Sequence, residues 1–325
     1  MRLRPLYDFI GWTRQFFKQK DFLEVITPPL MDHPGIEVHI HPFQAYRCHR
    51  KQLAPYYLHS SPEFAMKQLL SENKQEQDLY TLCYCFRDEP KGQWHRPQFL
   101  MLEWYRVSVD YHQIIKDFIQ WWGFCQKQAI AHGYSIHHQT EQQWVIKTIN
   151  EIFQEELNIN ILDYLDLEKL KEMIQKKFTH IPLPLQECSW DDYFFLLFLN
   201  EIEPKLKKYP YLILKDYPAP LSALSKISKD DARVCERFEV YINGIELANC
   251  FSELQDYQEQ KDRAESAMQE KQSLYQYQLP QPKSLLTSLK RGLPQCSGIA
   301  VGVERAAMSL LQLDHHLFWD DDTHS

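Results

Sequence analysis

Two arginines carry the first chemical suggestion in this 325-residue chain. Arg87 sits in the run Phe86-Arg87-Asp88-Glu89, and Arg305 closes Gly302-Val303-Glu304-Arg305. Carboxylates flank both, and Glu103 follows the first across a short loop, within Phe99-Leu100-Met101-Leu102-Glu103-Trp104-Tyr105. A guanidinium presents a planar fork of donors that matches phosphate. Carboxylates match ammonium groups, so the set suits a bent triphosphate beside an amine-bearing substrate. The chain holds neither a P-loop nor Gly-x-Gly-x-x-Gly, so a nucleotide must be gripped another way.

Three elements must position these groups. Residues 79–87 alternate in strand fashion, with Tyr80, Leu82, Tyr84 and Phe86 on one side and Leu79, Thr81, Cys83, Cys85 and Arg87 on the other. A polar connection from Asp88 to Pro97 leads to a return strand with Phe99, Met101, Glu103 and Tyr105 on one face, an antiparallel hairpin. Phe99 either stacks a purine or joins the core; the hairpin alone leaves both open. A second hairpin runs from Phe238 to Ile242, turns at Asn243-Gly244 and returns from Ile245 to Phe251. Alternation places Glu246 with Ala248 and Cys250, and Ile245, Leu247 and Asn249 opposite. With Glu253 just beyond, Glu246 offers oxygen ligands for Mg²⁺; a solvated strand face is the plainer alternative. The third element, Cys296 to Arg305, reads as a buried strand entering a helix. It holds two of only 9 glycines, Gly298 and Gly302, which permit close approach of backbone to ligand. Arg305 falls in the first helical turn, where its cation opposes the macrodipole. That placement calls for an anionic partner unless Arg305 is simply a surface residue.

Together these elements resemble the catalytic domain of class II aminoacyl-tRNA synthetases, an α+β fold whose mostly antiparallel sheet is flanked by helices. Phe16-Phe17 through Phe22-Leu23-Glu24-Val25-Ile26-Thr27-Pro28 is similar to the first motif of that family, Phe86 through Glu103 to the second, and Gly302 through Arg305 to the third. Ser61-Pro62-Glu63 and Gly244-Ile245-Glu246-Leu247-Ala248-Asn249 point to the lysyl branch. Arg237 to Tyr241, Met101 to Arg106 and Cys296-Ser297-Gly298 resemble its stand-alone paralogue that modifies elongation factor P.

The resemblance implies an ATP- and Mg²⁺-dependent ligase. It would form an acyl-adenylate of (R)-β-lysine or lysine and pass the acyl group to a lysine amine of elongation factor P, as a homodimer. It assigns Arg87 to the α-phosphate and Arg305 to the γ-phosphate, with Phe99 and Arg305 sandwiching adenine. Asp88, Glu89, Arg96, Gly302 and the backbone at Glu246-Leu247 complete the nucleotide set. Glu246 and Glu253 are the metal candidates, and Arg87, Glu246 and Arg305 the catalytic trio. Ser61, Pro62, Glu63, Glu103, Tyr105, Glu253 and Ala300 line the substrate pocket. Ala300 stands where lysyl-tRNA synthetases tend to carry glycine, and its methyl disfavours an α-amino group. Arg96, Cys250 and Glu304 depart from the family's usual asparagine, glycine and aspartate. Two other functions stay open: a catalytically silent amino-acid-binding paralogue, and an activating ligase with another acceptor.

The remaining features set bounds. A chain that is 44% hydrophobic can bury a large core. The net charge of −8 argues against a broad phosphate-binding surface. Nothing resembles a signal peptide or membrane span, and no segment matches the barrel that reads an anticodon. Eight scattered cysteines without a Cys-x-x-Cys pair suggest reduced thiols and a cytoplasmic setting; Cys83-x-Cys85 is not zinc spacing. Lys226-Ile227-Ser228-Lys229 reads as a surface loop, and His137-His138 and His315-His316 as solvated pairs. The expected layout is one catalytic domain over residues 1–325, with a helix near 111–131, a helical insertion at 140–205 and a charged helix near 256–275.

Overall fold

Residues 4–50, 53–72, 77–90, 92, 94–136, 143–184 and 188–313 are described by the computed structural model. Both histidine pairs named above lie outside these residues. The chain divides into two units, residues 1–139 with 254–325, and residues 140–253.

The first unit opens with α1 (Arg4–Gln19), which buries Leu6, Phe9, Trp12, Phe16 and Phe17 at helical spacing. Next come the short strands β1 (Leu23–Glu24), β2 (Leu30–Met31), β3 (Gln44–Ala45) and β4 (Tyr56–Leu58), of which the last three form a small sheet in the order β2-β4-β3. α2 (Glu63–Glu72) leads into the expected hairpin of β5 (Leu79–Phe86) and β6 (Gln98–Val107). Its register pairs Thr81 with Glu103 and Cys85 with Phe99. β1 joins β5 in parallel. α3 (Tyr111–Ala131) starts where the Asp110 carboxylate accepts from the His112 N–H.

One face of the hairpin is sealed. The Phe17 ring stacks on Tyr80 at 4.6 Å and meets Trp104 at 5.2 Å, and Trp121 reaches Thr13 Oγ1 at 3.2 Å. α1 and α3 therefore cover the face that holds Tyr80 and Trp104. The opposite face, with Phe99 and Glu103, is left for chemistry.

The second unit starts with β7 (Val145–Thr148), α4 (Ile149–Leu157), α5 (Leu167–Lys177) and α6 (Trp190–Leu197). β7 is the exception in a stretch expected to be helical. It pairs in parallel with β8 (Tyr211–Pro218), Val145 opposite Leu212. Thr148 and Ser189 cap α4 and α6 through capping boxes with Glu151 and Asp192. Ile152, Phe153, Leu170, Phe194 and Leu197 from the three helices pack with Leu212 and Leu214 of β8 in one core. β9 (Val234–Ile242) and β10 (Ile245–Ser252) complete the order β7-β8-β9-β10. Their turn puts Asn243 at φ 50° and Gly244 at φ 78°, both left-handed as a type I′ turn requires. The segment Lys226 to Lys229 is pinned rather than loose: Ile227 bridges to Cys235, and the Lys226 N–H donates to Ser252.

The chain then re-enters the first unit with α7 (Tyr257–Tyr275), α8 (Lys283–Arg291), β11 (Cys296–Gly302) and α9 (Val303–Leu311). β11 lies antiparallel to β6, extending the first unit's strands to β1-β5-β6-β11. The fold is α+β. Among the described residues no helix is long and apolar enough to cross a membrane.

Candidate active site

Small residues on β11 face large ones on β6. The register sets Gly298 against Tyr105, Ala300 against Glu103 and Gly302 against Met101. A β-carbon on Gly298 would lie 2.5 Å from Cδ1 and 2.7 Å from Cζ of the Tyr105 ring. The ring thus occupies the space that the missing side chain leaves free. Gly302 differs, because the nearest atoms a β-carbon there would meet are those of the Arg305 stem, at an ordinary contact distance of 3.7–3.8 Å.

Glu103 is 1% exposed at the centre of this face. Ser61 Oγ donates to it at 2.5 Å, and the Tyr105 hydroxyl at 3.4 Å. Ser61 also accepts from the Glu63 N–H at 3.0 Å, which ties the start of α2 to the same carboxylate. Pro62 is buried beside it. Glu63 has a partner within its own helix: Lys67 Nζ sits 2.6 Å away, and both are buried. Burial raises the Glu63 pKa, and the Lys67 charge opposes that shift. Its carboxylate is therefore compensated inside α2, which the sequence reading did not anticipate.

Around the connection from β5 to β6, Arg87 and Arg305 converge. The Arg87 Nε–H donates to the Ser60 carbonyl at 3.4 Å, and its guanidinium lies 5.2 Å over the Phe99 ring. Phe99 is half-buried, so its ring is not a core residue. The Arg305 Nε–H donates to the Trp94 carbonyl at 3.1 Å. Both guanidinium groups act on His95, whose pKa is lowered first by burial, then by Arg305 and, less, by Arg87; Glu89 works the other way. Arg96 folds back onto the carbonyls of Gly92 and His95, and exposed Asp88 is fixed by its N–H to the His41 carbonyl. Behind Arg305, Glu304 is 6% exposed, and both its oxygens accept from the Leu100 N–H, at 2.8 and 2.9 Å. Burial pushes the Glu304 pKa up to about 7, against the pull of its hydrogen bonds and of Arg305.

The remaining candidates lie in the second unit. The expected alternation along β10 fails at one point. A bulge at Leu247 lets Glu246 pair with Tyr241 while Ala248 pairs with Val240. Glu246 therefore shares its face with Asn249 and Phe251, not with Ala248 and Cys250. On the same face of β9, Glu239 accepts from Arg237 at 2.6 Å, Tyr217 at 2.5 Å and Tyr241 at 2.6 Å. Leu247 is buried, and Glu253 is 1% exposed and bridged to Ser225. Glu246, Asn249 and Glu253 are hard oxygen donors, a chemistry that fits Mg²⁺.

Sequence reasoning missed Lys67, Trp94 and His95. For His95 a signal was available, since it sits inside a loop bounded by phosphate-type residues. Lys67 had a weaker one, its i,i+4 spacing from Glu63.

Comparison with known proteins gives a consistent picture. The family model for class II tRNA synthetases (D, K and N) matches residues 2–315. The elongation factor P–(R)-beta-lysine ligase of Vibrio atlanticus is 33% identical over 97% of this chain and 93% of that protein. The protein of the same name from Erwinia tasmaniensis is 36% identical over 93% of this chain and 88% of its own. That from Pasteurella multocida is 35% identical over 93% and 88%.

Proposed function

The chain belongs to the class II tRNA synthetases of the D, K and N type, and on that footing we propose that it is an ATP-dependent ligase joining (R)-β-lysine to elongation factor P. The names of its relatives support both the substrate and the acceptor. The observation that carries the proposal is the buried Glu103, braced by two hydroxyls and set directly opposite Ala300. A carboxylate held in this way can receive a substrate ammonium in a fixed orientation.

The reaction has two displacements. The β-lysine carboxylate attacks the α-phosphorus of ATP and expels pyrophosphate. A lysine amine of elongation factor P then attacks the acyl carbon, expels AMP and forms an amide. The chain's work is positioning and charge compensation. Arg87 and Arg305 neutralise phosphate oxygens, and Phe99 offers a ring for adenine once Arg87 turns to phosphate. Asp88, Glu89, Arg96 and Gly302 complete the nucleotide contacts. Ser61, Pro62, Glu63, Tyr105 and Ala300 shape the amino-acid pocket. Glu246 and Glu253 would hold Mg²⁺, which supplies further charge neutralisation on the phosphates.

A homodimer is part of the proposal. Ile26 in the first motif is 95% exposed, and Leu23 and Leu30 beside it are 45% exposed, apolar area that a second copy would cover. Eight free cysteines support a reducing, cytoplasmic setting.

The test incubates the protein with ATP, Mg²⁺ and elongation factor P, adding (R)-β-lysine or α-lysine in parallel, and reads the intact mass of the factor. A one-lysine increase, larger with the β-isomer, is expected. Pyrophosphate exchange without any mass increase would discard the acceptor. Arg305→Ala should abolish exchange, and exchange at the wild-type rate would remove Arg305 from the site.

A further inference from the structure

Cys83 and Cys85 belong to a cluster that the ligase chemistry does not use. Their side chains share one face of β5, and Cys85 is fully buried, with its Sγ 3.7 Å from Met101 Sδ. His59, just after β4, lies along the edge of β5, where its carbonyl accepts from the Phe86 N–H at 3.0 Å. The ring of His59 is fixed too. Nε2 is 2.8 Å from the Tyr84 carbonyl, which can only accept, so Nε2 carries the proton. Nδ1 keeps its lone pair; it is buried, it meets no well-aligned hydrogen-bond donor among the described residues, and the ring already acts on the neighbouring Cys83 thiol. His59 as a whole is 1% exposed. The ligating atoms of His59, Cys83 and Cys85 all lie within 4.8 Å of one another.

We propose that His59, Cys83 and Cys85 form a binding site for a thiophilic d¹⁰ cation, zinc(II) or copper(I). Two thiolates and one neutral imidazole are the donors such ions take, and a backbone carbonyl on the second ring nitrogen is the usual brace of a ligating histidine. With Zn–S near 2.3 Å and Zn–N near 2.0 Å, tetrahedral ligands stand about 3.5–3.8 Å apart. The cluster therefore needs to close by about 1 Å, within reach of small side-chain rotations. Binding releases the proton of each cysteine that still carries one as a thiol, and changes no oxidation state. Half-buried Cys83 gives the entry side. Met101 adds a thioether, which copper(I) accepts and zinc(II) does not.

The site is missed from sequence spacing because its third ligand comes from another strand's end. Its position also couples it to the face that carries Glu103. Ser60 and Ser61 follow His59, and they hold Arg87 and Glu103 respectively. Drawing His59 toward a metal would shift both anchors.

The experiment uses the full chain, reduced and stripped with a chelator, and titrates it anaerobically with Co²⁺ as the spectroscopic stand-in for Zn²⁺. One equivalent should give the near-ultraviolet thiolate-to-cobalt band and the visible bands of a tetrahedral site, and Zn²⁺ should bleach them. Cys83→Ser and Cys85→Ser should each lower affinity by on the order of 100-fold, while Cys48→Ser leaves it unchanged. A parallel titration with Cu⁺ against a chromophoric chelator separates the ions: Met101→Leu should weaken copper and spare zinc. Absence of the bands, or bands that survive both serine variants, would overturn the site. Should those variants fail to fold, wild-type protein decides the matter. Bound Zn²⁺ must protect Cys83 from alkylation, read by peptide mass, and equal labelling with and without the metal would overturn the proposal.

Discussion

Replacing Glu304 by glutamine should change how stability depends on pH, and the size of the change follows from its burial. The folded carboxyl titrates at about 7, against 4.5 when exposed. Below about pH 4.5 both states are protonated, and the contribution of the group to folding is fully present. As pH rises through the window from 4.5 to 7, the unfolded chain ionises while the folded one resists. Stability then falls by about 1.4 kcal/mol per pH unit, to a total near 3 kcal/mol, and levels off above about 7. Glutamine keeps an oxygen for the Leu100 N–H and does not titrate. The variant should therefore gain on the wild type by about 2–3 kcal/mol between about pH 5 and about pH 8. Urea unfolding at the two pH values, taken as a difference of differences, cancels the titrating groups that Glu304 does not itself perturb. Parallel profiles, or a variant less stable at the higher pH, would refute the assignment of a desolvated carboxyl at the head of α9.

Four further outcomes are expected. Gly298→Ala should cost about 1–3 kcal/mol, because the Tyr105 ring must move off its seat; Gly302→Ala should melt within a degree or two of wild type. Lys67→Met should cost about 3–5 kcal/mol by leaving Glu63 as an uncompensated buried charge. Most of that loss should return in Glu63→Gln/Lys67→Met, as a double-mutant cycle will report. Ser61→Ala should lose about 1–2 kcal/mol, as it removes both the contact at the start of α2 and a donor to Glu103. In steady-state kinetics its KM for the amino acid should rise more than its kcat falls. Ala300→Gly should narrow the preference for the β-isomer over α-lysine by about 1–3 kcal/mol, read as the ratio of kcat/KM values.

Much of this architecture was legible because it is written in local terms. Period-two alternation marked β5 and β6, and Asn243-Gly244 marked the turn between β9 and β10. The helix expected near 111–131 is α3, and the charged helix expected near 256–275 is α7. Features that depend on distant chain were not legible. The bulge at Leu247 reverses which residues accompany Glu246, and no alternation rule announces an extra residue in a strand. β7 is four residues long, and it is a strand because β8 lies beside it. The helical propensity of its surroundings gives no warning. Gly298 was notable for its rarity, yet its reason, a tyrosine ring from the neighbouring strand, required the register. Glu63 read as a free pocket carboxylate because the burial that binds it to Lys67 is a property of the assembled helix.

If the face shared by β6 and β11 receives the substrate amine as proposed, shape must carry the selectivity. A carboxylate attracts any ammonium group, α or β, with nearly the same energy at the same distance. Ser61 and Tyr105 orient the Glu103 oxygens. Discrimination then depends on where the rest of the substrate is allowed to lie. In the proposed pocket that would fall to three small residues of β11, of which Ala300 alone carries a side-chain carbon. Glycine on either side leaves the floor open, filled at 298 by the Tyr105 ring and bounded at 302 by the Arg305 stem. In the proposed pocket the Ala300 methyl stands directly opposite the carboxylate, where it would crowd one amine position and not the other. One methyl is worth only about 1–3 kcal/mol, so the proposed pocket is expected to prefer the β-amine only partially, and α-lysine should still be activated at a measurable rate.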